Sequence, residues 1–178
     1  MIKQIIKIAI FLILVYLLHA SFMTGLFYPL NKIIIFLPII IFLLVLYDAK
    51  VTLIFSVVFA VFSATASSLP FLLSIFVLPL ATLALISVFR RFFTNKSVYS
   101  ILALNTIILC FFHLLNTVFF LIYHFYHYKT FSKAINYGML FSSLIWQFVL
   151  STIFVLIAFF IINYFSNKLK TVYIETKS

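Results

Sequence analysis

Apolar residues run through this chain in long unbroken blocks, and charge is confined to the gaps between them. No Asp, Glu, Lys or Arg occurs between Lys7 and Lys32, Lys50 and Arg90, Lys96 and Lys129, or Lys133 and Lys168. A bilayer core about 30 Å thick needs roughly 20 apolar residues in a crossing helix. Each block holds at least one such stretch, and the block from Lys50 to Arg90 holds two, parted by Ser67-Ser68-Leu69-Pro70. The pattern predicts an all-α, polytopic membrane helix bundle. Six transmembrane helices are expected, at 8–28, 30–47, 51–69, 71–89, 98–126 and 137–165, in a single integral membrane domain over 1–178 with a polar tail at 166–178.

Local signals refine these spans. A basic flank at Lys3 and Lys7 before an apolar run also fits a signal peptide, but Leu18 stands where a small residue is wanted before a cut at Ala20. An uncleaved first helix is therefore expected. Pro38 lies in the short second span, and Asp48-Ala49-Lys50 makes a tight polar turn before the third. Pro70 suits the first turn of the fourth span, where its missing N–H costs nothing. Pro79, inside that span, predicts a kink. The fifth span is longer than the hydrocarbon is thick, so it should tilt or project.

Composition agrees: 67% of residues are hydrophobic, against about 45–50% in soluble domains. The net charge of +10 would point to nucleic acid in a soluble protein, but here the cations flank apolar spans and set orientation instead. With the N-terminus inside, Lys3, Lys7, Lys50, Arg90, Arg91, Lys96, Lys168, Lys170 and Lys177 fall on the inner side. Lys32, Lys129 and Lys133 fall outside. That asymmetry satisfies the positive-inside rule and places both termini in the cytoplasm. Tyrosines cluster near the span ends, as an interfacial belt requires.

Candidate chemistry is sparse. Asp48 and Glu175 are the only carboxylates and both lie outside the apolar spans, so paired intramembrane acids are excluded. No zinc-protease, nucleophile-elbow or phosphate-loop motif occurs, and a non-enzymatic protein is expected. Cys110 is the only cysteine, so no intrachain disulfide can form. Cys110 with His113, and His124 with His127, have the three-residue spacing of ligands on one helix face. Neither pair has a third partner, and no metal or other cofactor is expected.

Three groups of residues stand out. Ser56, Ala60 and Ala64 repeat every four residues along the third span. They form a small-residue face for close helix packing or for docking a partner helix, with Phe59 taken as lipid-facing. Asn105, His113 and Asn116 make a polar stripe on the fifth span. Such a stripe bonds other helices or lines a substrate path. Arg90, Arg91 and Lys96 form the most basic inner loop, suited to anionic lipid headgroups.

The arrangement resembles the MreD family of rod shape-determining membrane proteins. The likeness rests on Phe36-Leu37-Pro38 in the second span, the close-packed third span, and the turn Ser68-Leu69-Pro70. It extends to the stretch Phe89-Arg90-Arg91-Phe92-Phe93-Thr94-Asn95-Lys96-Ser97-Val98-Tyr99 that opens the fifth span. Where family members often carry glycines and an acid, this chain has Ser56, Ala60 and Ala64 and no acid. The resemblance implies a non-enzymatic scaffold of the cell-wall elongation complex in the bacterial inner membrane. Its partners would be membrane lipid, an MreC-like bitopic protein and wall-synthesis polymerases, with no nucleic acid. That family's fold is also similar to substrate-binding subunits of energy-coupling-factor vitamin transporters, which supplies the alternative.

Overall fold

A computed structural model describes residues 13–21, 28, 34–65, 67, 69–92, 97–128 and 137–166. Every regular element among them is helical. The first, α1, is helical at 13–21. There follow α2 (Phe36–Leu46), α3 (Ala49–Ala64), α4 (Phe71–Phe92), α5 (Val98–Tyr128) and α6 (Tyr137–Ser166).

Of the six expected spans, α4, α5 and α6 are long and apolar enough to cross a membrane. At 1.5 Å per residue they extend about 33, 46 and 45 Å. The second and third come out shorter than expected. Helix α2 has 11 residues, about 16 Å, and α3 has 16, about 24 Å. Neither alone matches a 30 Å core. The described part of the first span covers only 13–21 and Tyr28, and the start of the second, 30–33, lies outside the described residues.

Local chemistry sets these boundaries. Asp48, in extended conformation, accepts the Ala49 N–H through its carboxylate at 2.7 Å, and its carbonyl accepts from Thr52 N. The helix therefore opens at Ala49, two residues before the expected start, on an N-cap of the preferred type. It ends at Ala64 because Ser67 Oγ captures the Leu69 N–H and Pro70 follows. The Pro70 carbonyl then receives the N–H groups of Leu73 and Ser74, which begins α4. Pro38 occupies the first turn of α2, where no intrahelical donor is missed. Around Pro79, α4 continues unbroken to Phe92.

Helix α2 is the centre of the bundle. It packs on α3, α5 and α6, and Phe36, Leu37, Ile40 and Ile41 are fully buried. A helix apolar on all sides is expected in such a place. Its neighbour α3 packs most extensively on α4, which in turn packs on α5, and α5 on α6. Short connections make these pairs antiparallel. On α1, Val15 and His19 face inward at i, i+4 spacing, while Leu14, Leu17 and Leu18 stay exposed.

Stacking of Phe36 on Phe59, centroids 5.0 Å apart and nearly parallel, joins α2 to α3. Phe59 is fully buried, which corrects its assignment to the lipid side. The reason is that α3 is covered on two faces, by α4 and by α2. Its lipid face is Ile54, Val57 and Val61 instead.

Candidate functional site: the polar seam and the basic end

Polar groups in an apolar bundle must find partners, because hydrocarbon offers none. Most hydroxyls here turn back onto their own helix or the turn that leads into it. Thr52 donates to Asp48 O, Ser56 to Leu53 O, Ser63 to Ala60 O, Ser74 to Leu69 O and Thr82 to Leu78 O. The small-residue face is thus packing surface inside the bundle: Ser56 and Ala60 are fully buried and Ala64 nearly so.

The exception is the seam between α5 and α6. Asn105 is fully buried; its Oδ1 accepts from Ser151 Oγ at 2.8 Å and its Nδ2 donates to Thr152 Oγ1 at 3.4 Å. Asn105 therefore clamps the two helices. Farther along, the Gln147 side chain comes beside His113, with His113 Nε2 and Gln147 Oε1 both buried and short of a well-formed hydrogen bond. Asn116, the third member of the stripe, is half-buried. The stripe is divided: one end is spent in a closed clamp, and the middle carries two polar atoms short of a well-formed bond.

Sequence reasoning missed the α6 side of this seam. Ser143, Gln147, Ser151, Val155, Phe159 and Asn163 recur every fourth residue, and Ser151, Val155 and Phe159 are the buried positions of the helix. The four-residue recurrence of Ser143, Gln147 and Ser151 was the available signal. His19 was also missed. It is 4% exposed, its ring lies 4.2 Å from that of Phe36, and its Nδ1 has no partner. A lone His in an apolar run was the only hint.

The spacing-based histidine pairs become ring contacts. Cys110 is exposed while the next turn carries His113 toward α6. The His124 ring lies tilted against Phe120 at 4.0 Å with Nδ1 by the Phe120 carbonyl, and His127 meets the edge of Tyr123 at 4.6 Å. Among the described residues no group of three or more His, Cys, Asp or Glu could hold a metal.

Charge gathers at one end. The antiparallel α2–α3–α4–α5 order brings the turn at Asp48 and Lys50, the last turn of α4 with Arg90 and Arg91, and the start of α5 at Ser97 to the same end of the bundle. Lys50, Arg90 and Arg91 are exposed. Lys96, the third expected member of the basic loop, lies outside the described residues. Exposed aromatics ring this end: Tyr47, Phe92 and Tyr99. At the opposite end Tyr28 bonds Ser142 Oγ at 2.6 Å and meets Trp146 edge-on, tying the segment after α1 to α6. No protein-family model, curated protein or solved structure matches the chain.

Proposed function

We propose that this chain is a multi-pass protein of the bacterial cytoplasmic membrane, with six membrane-embedded helices and both termini inside, that serves as a non-enzymatic scaffold. The resemblance to the MreD family makes it a member of the cell-wall elongation complex that recruits an MreC-like bitopic protein. One observation carries the reading. Most polar side chains of the interior are spent within the fold: hydroxyls of α3 and α4 bond carbonyls of their own helices, and Asn105 clamps α5 to α6. Of its two carboxylates, Asp48 is exposed and caps α3, and Glu175 lies outside the described residues. What such a molecule offers is lateral surface, and helix association in lipid runs on packing and interhelical hydrogen bonds.

Depletion tests this directly. Loss of the protein should round rod-shaped cells, and purification in mild detergent should carry along a single-span, coiled-coil protein. Normal shape and wall-synthesis pattern after complete depletion would refute it. The transporter-subunit reading is kept for one reason: His19 Nδ1 is buried without a partner, as an atom awaiting a polar ligand would be. Stabilisation of the purified protein by a vitamin-like compound would favour it.

A further inference from the structure

We infer that the basic end of the bundle is a binding site for anionic phospholipid headgroups, held by Lys50 on the first turn of α3 and by Arg90 and Arg91 on the last turn of α4. The inference does not depend on the scaffold role. It starts from the antiparallel packing of α3 on α4, the most extensive in the bundle, which puts both cation-bearing helix ends at one end of the molecule. All three side chains are exposed, so none is consumed by the fold. The one anion described nearby is Asp48, whose carboxylate is engaged with the Ala49 N–H and opposes only part of this charge.

The depth of the site is fixed by its surroundings. Tyr47 is 66% exposed, Phe92 73% and Tyr99 84%, and all three stand at the same end as the cations. Exposed aromatics beside cations at the ends of apolar helices mark the headgroup level of a bilayer. The chain immediately below is apolar: α4 and α5 both qualify as membrane-crossing helices. A ligand that uses all of these features has an anionic head above an apolar tail. Arg is the stronger choice for such a head, since its planar fork can pair two phosphate oxygens at once. A free phosphate would satisfy the cations and leave the aromatic collar and the apolar flank of α4 unused.

Each basic residue near an anionic surface contributes about fivefold in binding, so neutralising two should cost roughly 25-fold. The test uses the full-length protein in neutral-detergent micelles doped with phosphatidylglycerol or with phosphatidylcholine, read by native mass spectrometry and by a fluorescent-lipid titration. Phosphatidylglycerol should bind preferentially, and more weakly as salt rises. Arg90→Gln with Arg91→Gln should weaken it roughly 25-fold, and Lys50→Gln about fivefold. Arg90→Lys with Arg91→Lys keeps the charge and should retain most of the binding, which controls for folding. Lys133→Gln, expected on the outer side from the cation asymmetry, removes one charge as Lys50→Gln does and should change little. Equal binding of the two lipids would overturn the inference, as would full retention in the double Gln variant. So would complete displacement of phosphatidylglycerol by millimolar inorganic phosphate at constant ionic strength.

Discussion

Removing the hydroxyl of Ser151 should loosen the bundle by a measurable and specific amount. Ser151→Ala takes away the 2.8 Å hydrogen bond to Asn105 Oδ1 and leaves that oxygen in a fully buried position. Interhelical hydrogen bonds in membrane proteins contribute about 0.6 kcal/mol on average and about 1.7 at most. A stranded buried acceptor costs about 1–3 kcal/mol. Asn105 has no local escape, unlike the Ser and Thr side chains here that turn to their own helix, so Ser151→Ala should cost about 1 kcal/mol or somewhat more. Thr152→Val keeps the shape and removes only a 3.4 Å contact, which lies near the limit for a hydrogen bond, and should cost less than half of that. The cycle of Asn105→Ala with Ser151→Ala should then show a coupling of about 0.6–1.7 kcal/mol. Unfolding in mixed SDS–detergent micelles can be followed by the fluorescence of the single tryptophan, Trp146, which lies on α6 just over one turn from Ser151. Additivity within about 0.3 kcal/mol, or a larger loss from Thr152→Val than from Ser151→Ala, would show that Asn105 is not a clamp.

Three further outcomes are expected. Ala60→Leu should destabilise by about 1–3 kcal/mol through overpacking at a fully buried site, whereas Ile54→Leu at a lipid-facing position of the same helix should be nearly silent in thermal unfolding; equal behaviour of the two would refute close packing of α3 at Ala60. Replacing both His113 and Gln147 by apolar residues, as His113→Phe with Gln147→Leu, should be neutral or stabilising in the same unfolding assay, because two buried atoms short of a well-formed bond disappear together, and a large loss would show that the pair is bonded. In a Cys110→Ser background, cysteines introduced at Ser132 and Ser178 should differ in intact cells, with Ser132 labelled by an impermeant reagent and Ser178 protected; the reverse would invert the expected topology.

Those outcomes depend on features that the sequence displayed unevenly. The long helices α4, α5 and α6 were legible to within a few residues, because more than twenty apolar residues between charged gaps leave one physical solution. The shortness of α2 and α3 was not. Hydropathy measures transfer out of water and is blind to whether a side chain then meets lipid or protein. A central helix such as α2, buried over most of its surface, scores like a crossing one although it has only 11 residues. The same blindness put Phe59 on the wrong face: Phe is welcome both in lipid and against Phe36. For the site, Asn105 was legible as a polar residue in an apolar helix, but its partners were not. Ser151 and Thr152 lie 46 and 47 residues away, and no local pattern announces which turn of α6 will face Asn105.

Burial of the small-residue face constrains any partner of this chain. Ser56, Ala60 and Ala64 were the surface best suited to close approach of another helix, and the fold places them inside. What stays outside on α3 is Ile54, Val57 and Val61, and on α6 it is Phe141, Ile145, Phe148, Ile153, Ile157 and Phe160. Bulky side chains of this kind keep backbones apart, so a single-span partner docking there would gain from side-chain interdigitation and little from backbone contact. Such an association is individually weak and easily broken by detergent. Its strength would have to come from several contacts at once, including the aqueous loops and the coiled-coil portion of the partner. Recruitment that survives deletion of every aqueous contact would therefore argue against the scaffold proposed here and for a tighter intramembrane interface on the exposed helices.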